Sequence, residues 1–196
     1  MGVKVNMDEI LLKVSKSPKV RNKVNKVITR KLETIKRETL NEFDQHPVTR
    51  EIMGGPGATN SSGTLGGYGN LFSFIGFSSG QRPTSMLKQA IGSTINFRFL
   101  KSVAKKRNIN FNFLIKVPTM DLIHNASPMP WEGGSWVKGV EEGMSNFSFY
   151  MYKKFNAGRS GMGLQADHEL RKAIFTPKAY VSEILQNFKR KVRTIK

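Results

Sequence analysis

The sequence predicts an α+β fold, with long N-terminal and C-terminal helices packed around a small antiparallel β-sheet. Three observations predict it. Apolar residues recur at helical spacing over residues 7–43, and again over residues 180–192. Between them, two Phe-rich stretches alternate with a period of two. The chain has 196 residues, 38% of them hydrophobic, with thirteen Phe and no Cys; that is enough for one core without disulfide support. The expected organisation is a basic helical arm over residues 1–46 and a single α+β domain over residues 47–196.

Met7–Lys16 reads as a short helix, and Ser17-Pro18 as an N-cap with proline at the first helical position. Val20, Val24, Val27, Ile28, Leu32, Ile35 and Phe43 then fall on one helical face, opposite a largely basic one. This helix of about seven turns ends before His46-Pro47, because a residue preceding proline avoids the α region. Residues 54–69 hold seven Gly with Ser, Thr and Asn, which predicts a flexible loop too polar to pack. Asn70–Phe77 (NLFSFIGF) reads as a strand, and Pro83–Ile91 as a helix starting on proline. Thr94–Leu100 and Asn108–Val117 alternate cleanly, and the basic connection Lys101–Arg107 makes them an antiparallel hairpin. Residues 119–134 look irregular. Ser135 precedes another helical series at Trp136, Val140, Met144, Phe147 and Met151, and residues 156–163 form a second glycine loop. Thr176-Pro177 is expected to open the last helix, buried through Tyr180, Val181, Ile184, Leu185, Phe188 and Val192.

The net charge is +18. Residues 1–40 hold eleven Lys/Arg against four acids, a balance of +7, and residues 171–196 hold eight against one, again +7. The 130 residues between carry only +4. Charge concentrated at both ends points to contact with a polyanion or an oppositely charged partner, against the plainer reading of a solubilising face. The candidate interaction residues are Lys19, Arg21, Lys23, Lys26 and Arg30; Lys105, Lys106 and Arg107; and Lys189, Arg190, Lys191 and Arg193. No apolar run approaches the ~20 residues that span a membrane. No h-region with a cleavage site opens the chain, so secretion is not expected.

Catalytic patterns are weak. Gly76-Phe77-Ser78-Ser79-Gly80 matches the G-x-S-x-G nucleophile elbow, with Asp121 and His124, or Asp167 and His168, as conceivable partners. A hydrolase's βαβ alternation is missing, and a turn closing a strand explains the pattern better. Ser-x-x-Lys occurs at Ser85, Ser102 and Ser135 without companion motifs. No phosphate loop is present, and His46, His124 and His168 have no metal-ligand spacing, so neither cofactor nor metal is expected. Glu141-Glu142 reads as a solvated face or interface contact. The Phe-rich strands around Lys105-Lys106-Arg107 admit single-strand stacking, but core burial is the stronger reading of their Phe face.

One order of features is distinctive: a basic N-terminal helix, then Ser62-Gly63-Thr64-Leu65, then Trp136-Val137-Lys138-Gly139-Val140-Glu141-Glu142-Gly143, then Phe175-Thr176-Pro177-Lys178-Ala179-Tyr180. It resembles the tail-completion and head–tail joining (neck) proteins of tailed bacteriophages. Their segments run T-G-x-L, Y-A-x-x-V-E-x-G and P-F-L-x-P-A. Here Gly63-Thr64 reverses the order, Trp136 stands for tyrosine, Tyr180 for phenylalanine, and the second proline is missing. The resemblance implies a non-enzymatic virion protein, assembled in the host cytoplasm as a homo-oligomeric ring, often of six copies. It implies portal, connector or tail-tube neighbours, transient DNA contact in the channel, and no membrane. The alternatives are a nonspecific nucleic-acid-binding protein and, less favoured, a serine hydrolase built on Ser78.

Overall fold

The computed structural model describes residues 6–67, 69–105, 108–130, 134–144 and 175–195. Helix α1 (Met7–Lys16) is capped by the Asn6 side chain, which accepts from the Glu9 N–H. Asp8 and Glu9 in its first turn, and Lys13 and Lys16 in its last, complement its dipole. Ser17 breaks the helix in extended backbone, and Pro18 starts the long α2 (Pro18–Gln45); the Ser17 hydroxyl makes no capping bond. Pro47 ends α2 and begins a helix that periodicity did not reveal, α3 (Pro47–Met53), capped by His46 Nδ1 accepting the Val48 N–H at 3.3 Å.

The apolar run at residues 70–77 is a helix, not a strand: α4 (Leu71–Ile75). Asn70 Oδ1 accepts the Ser73 N–H at its start, and Gly76 ends it in the left-handed region (φ 84°). Helix α5 (Pro83–Thr94) follows. Strands β1 (Asn96–Lys105) and β2 (Asn108–Lys116) pair antiparallel, Phe99 opposite Phe113, with a bulge between Phe99 and Lys101. Both strands continue almost to the tip, so residues 101–105 belong to β1 and not to a connection. The stretch expected to be irregular holds α6 (Met120–Asn125), capped by the Thr119 hydroxyl. Helix α7 (Trp136–Glu142) stops at Gly143 (φ 105°), well short of Phe147 and Met151, which lie outside the described residues, as do residues 156–163. The last helix, α8 (Val181–Arg193), starts four residues after Pro177, because Phe175–Tyr180 forms no regular element.

The core is helical. It joins Leu32 and Phe43 of α2, Val48 and Ile52 of α3, and Leu71, Phe72 and Ile75 of α4 to Leu87 and Ile91 of α5. Trp136, Val137 and Val140 of α7 and Val181, Ile184, Leu185 and Phe188 of α8 close it. The two-stranded sheet lies beside this core and not at its centre. Among the described side chains neither strand holds a buried residue, although Phe97 and Ile115 at the hairpin base pack against the core. The other Phe side chains of that face are half-buried. Helix α1 covers the hairpin, Ser15 and Ser102 hydroxyls meet at 2.9 Å, and the Arg21 guanidinium sits 4.6 Å from the Phe99 ring centre.

The glycine-rich loop is packed, contrary to its composition. Ser62, Thr64 and Leu65 are buried. The Glu51 carboxylate on α3, itself buried, accepts the Ser62 and Leu71 N–H groups, each at 2.7 Å, so it holds the loop at its middle and just past its end. Gly63 has φ 68° with open space around it, so backbone conformation, not crowding, selects glycine there.

Candidate functional site

Helix α8 lies antiparallel along the second half of α2. Asn187 bonds Glu42, and one turn later Lys191 pairs with Glu38 at 3.4 Å and Glu42 at 3.6 Å. The end of α8 therefore reaches Arg30, Lys31, Thr34 and Ile35, which share a shallow groove with Thr194 and Ile195. The two basic segments of the sequence thus meet in space. The candidate cations divide accordingly. Lys19, Lys23, Lys26, Arg30, Lys189 and Arg193 are exposed. Arg21 is engaged with Phe99, Arg190 bonds Asn187, and Lys191 is half-buried in its ion pairs. The Lys105 side chain and all of Lys106 and Arg107 lie outside the described residues.

A second constellation brings together three segments far apart in the sequence. The Thr176 N–H donates to Thr64 O at 2.9 Å, and the Lys178 N–H to Val140 O at 3.0 Å. Glu141 Oε1 accepts from Tyr180 N (3.2 Å) and Ser182 N (2.8 Å), capping α8 from a neighbouring helix. Glu141 is therefore a structural acceptor, and only Glu142 is solvated, opposite Lys138 at 3.8 Å. Tyr180 fills the centre. Its ring lies 4.7 Å from His46, 5.8 Å from Phe43 and 6.0 Å from Trp136, and its hydroxyl meets that of Thr49 at 2.7 Å. A long-range acceptor such as Glu141 leaves no periodic signal, so the sequence could not show its role.

Burial, the largest influence, lowers the His46 pKa below its ordinary 6.5; nearby Lys178 acts the same way, while Glu183, Glu42 and a hydrogen bond to the Ala179 backbone oppose it. The folded protein therefore keeps a neutral imidazole where the unfolded chain is already protonated, and protonating Nδ1 would remove the α3 cap. This contribution to stability is complete above pH 6.5 and is lost as pH falls through the lowered value. Thermal melts on acidification should show that loss, and His46→Asn, which keeps a capping acceptor, should flatten it. An unchanged pH slope in the variant would rule His46 out as its source.

The hydrolase pattern loses its context. Ser78 is exposed and follows helix α4, and its N–H donates to Gln81 Oε1 at 2.9 Å. Asp121 and His124 lie on α6; Asp167 and His168 lie outside the described residues. The Ser135 Ser-x-x-Lys is a helix cap, its hydroxyl accepting the Lys138 N–H at 3.2 Å. Among the described residues, no cluster of three His, Cys, Asp or Glu could hold a metal, and no helix is long and apolar enough to cross a membrane. No family model, curated protein or solved structure matches the chain.

Proposed function

We propose that the chain is a structural virion protein of a tailed bacteriophage, a neck or tail-completion ring subunit joining the head (portal) to the tail. The observation that carries this reading is the meeting of the three segments on which the resemblance rests. Ser62–Leu65, Trp136–Gly143 and Phe175–Tyr180 are joined by backbone hydrogen bonds around Tyr180.

The arm formed by α1, the first half of α2 and the hairpin supports assembly. Met7, Ile10 and Val14 form an exposed stripe on α1, each about half exposed, and Val27 on α2 is equally open. An isolated two-stranded hairpin is marginal in water, and this one has only a half-buried apolar face. Neighbouring subunits would cover such surfaces at a gain of about 25 cal/mol per Å² of apolar area. Mass spectrometry of tailed particles whose genome encodes the chain should find it at one ring's copy number, and cross-links should join it to portal or tail-tube proteins. Particles free of the chain would sink the proposal.

A further inference from the structure

The hairpin has two chemically distinct faces. Residues 96–116 contain six Lys/Arg and four Asn but no Asp or Glu. The register places Asn96 opposite Lys116, Lys101 opposite Asn112 and Val103 opposite Asn110, and Arg98 shares that side. All of these polar residues are exposed, whereas Phe97, Phe99, Phe111 and Phe113 turn the other way and are half-buried. The aromatic side is committed to α1 and Arg21. The polar side is committed to nothing: Arg98, Lys101 and Lys116 form no ion pair, and Asn110 and Asn112 no side-chain hydrogen bond, among the described residues.

Asparagine is depleted in strands, so four of them in one ribbon work against its formation. Among the described residues, none of their side-chain amides makes a hydrogen bond within the chain. Self-pairing does not explain them either, because two such faces would bring like charges together. We propose that this face is a contact surface for double-stranded DNA. A two-stranded ribbon fits a major groove about 12 Å wide. Arg98, Lys101 and Lys116 supply phosphate contacts, while the Asn amides donate hydrogen bonds to phosphate oxygens or base edges. Val103 and Leu114, exposed between the polar positions, lose apolar surface to the same contact. The surface would serve a ring subunit and a free monomer alike, so it does not depend on the assembly state.

The test measures binding of the full chain to a random-sequence duplex by anisotropy, from about 50 to about 200 mM salt. Each phosphate contact contributes about 0.9 to the slope of log affinity against log salt. The variant Arg98→Gln/Lys101→Gln/Lys116→Gln is expected to lower that slope by about 2.7 and the affinity more than about tenfold. The control Arg37→Gln/Arg50→Gln/Arg82→Gln removes the same charge from exposed positions outside the hairpin and should change affinity less than about threefold. Asn110→Thr with Asn112→Thr raises strand propensity, so it keeps the hairpin, and should weaken binding with an unchanged slope. Equal losses in the two triple variants would reduce the effect to net charge and overturn the proposal. It would also be overturned if the hairpin variant bound DNA normally; loss of self-assembly in that variant would then mark the face as a protein interface.

Discussion

Tyr180→Ala is expected to lower the unfolding free energy by about 3–5 kcal/mol, the usual cost of deleting a buried aromatic ring. Tyr180 is fully buried, and its ring joins Phe43 and His46 at the end of α2 to Trp136 at the start of α7. Burial pushes its hydroxyl pKa far above the ordinary 10.0, so the group stays protonated and paired with Thr49. Truncation leaves a cavity and a buried Thr49 hydroxyl without its partner. Tyr180→Phe keeps the ring and loses only that bond, at about 1–3 kcal/mol. Domains of this kind have about 5–15 kcal/mol in total. The alanine variant should therefore show a large fall in denaturation midpoint at unchanged m-value. A loss below about 1 kcal/mol would mean that the site relaxes around the gap and that Tyr180 is not its centre.

Glu51→Ala should cost about 2–4 kcal/mol, because two buried N–H groups lose a charged acceptor at once. The carboxylate reaches from α3 to Ser62 and to Leu71, so the alanine variant frees the loop at its middle and just past its end. Hydrogen exchange and protease cleavage within residues 54–69 should accelerate well beyond the change expected from global stability. Glu51→Gln retains one carbonyl oxygen but turns an amide N–H toward a backbone donor, so an intermediate loss is expected. Unchanged loop protection in Glu51→Ala would show that Ser62, Thr64 and Leu65 hold the loop by packing alone.

These two residues mark the limit of what the sequence makes legible. Helices α2 and α8 were readable because apolar residues repeat along each with the helical period, and the hairpin because its Phe residues alternate. Those signals are local. The run at Leu71–Ile75 was ambiguous, since a short, continuous apolar segment satisfies strand and helix equally; Asn70 and Gly76 were the deciding caps. The composition of the glycine loop predicts flexibility, while the residue that orders it stands on α3. The candidate cations were legible as a class. Their division into engaged Arg21 and Lys191 and open Lys19, Lys23 and Arg193 depends on contacts made across the fold, as does the meeting of the two basic segments.

The antiparallel seating of α8 against α2 also bears on how the protein is born. Leu32 and Phe43 belong to a core that Tyr180, Val181, Ile184, Leu185 and Phe188 complete. In a nascent chain, α2 therefore emerges before the residues that cover its second half, with only α1, α3 and α5 to pack against it until α8 follows. Contacts of such wide sequence separation slow folding and lengthen the exposure of apolar surface. Ribosome-bound chains halted before α8 has emerged should be protease-sensitive along α2. Release of α8 is then the event that commits the protein to its native state, and a chaperone that shields the apolar stripe of α2 would raise the yield.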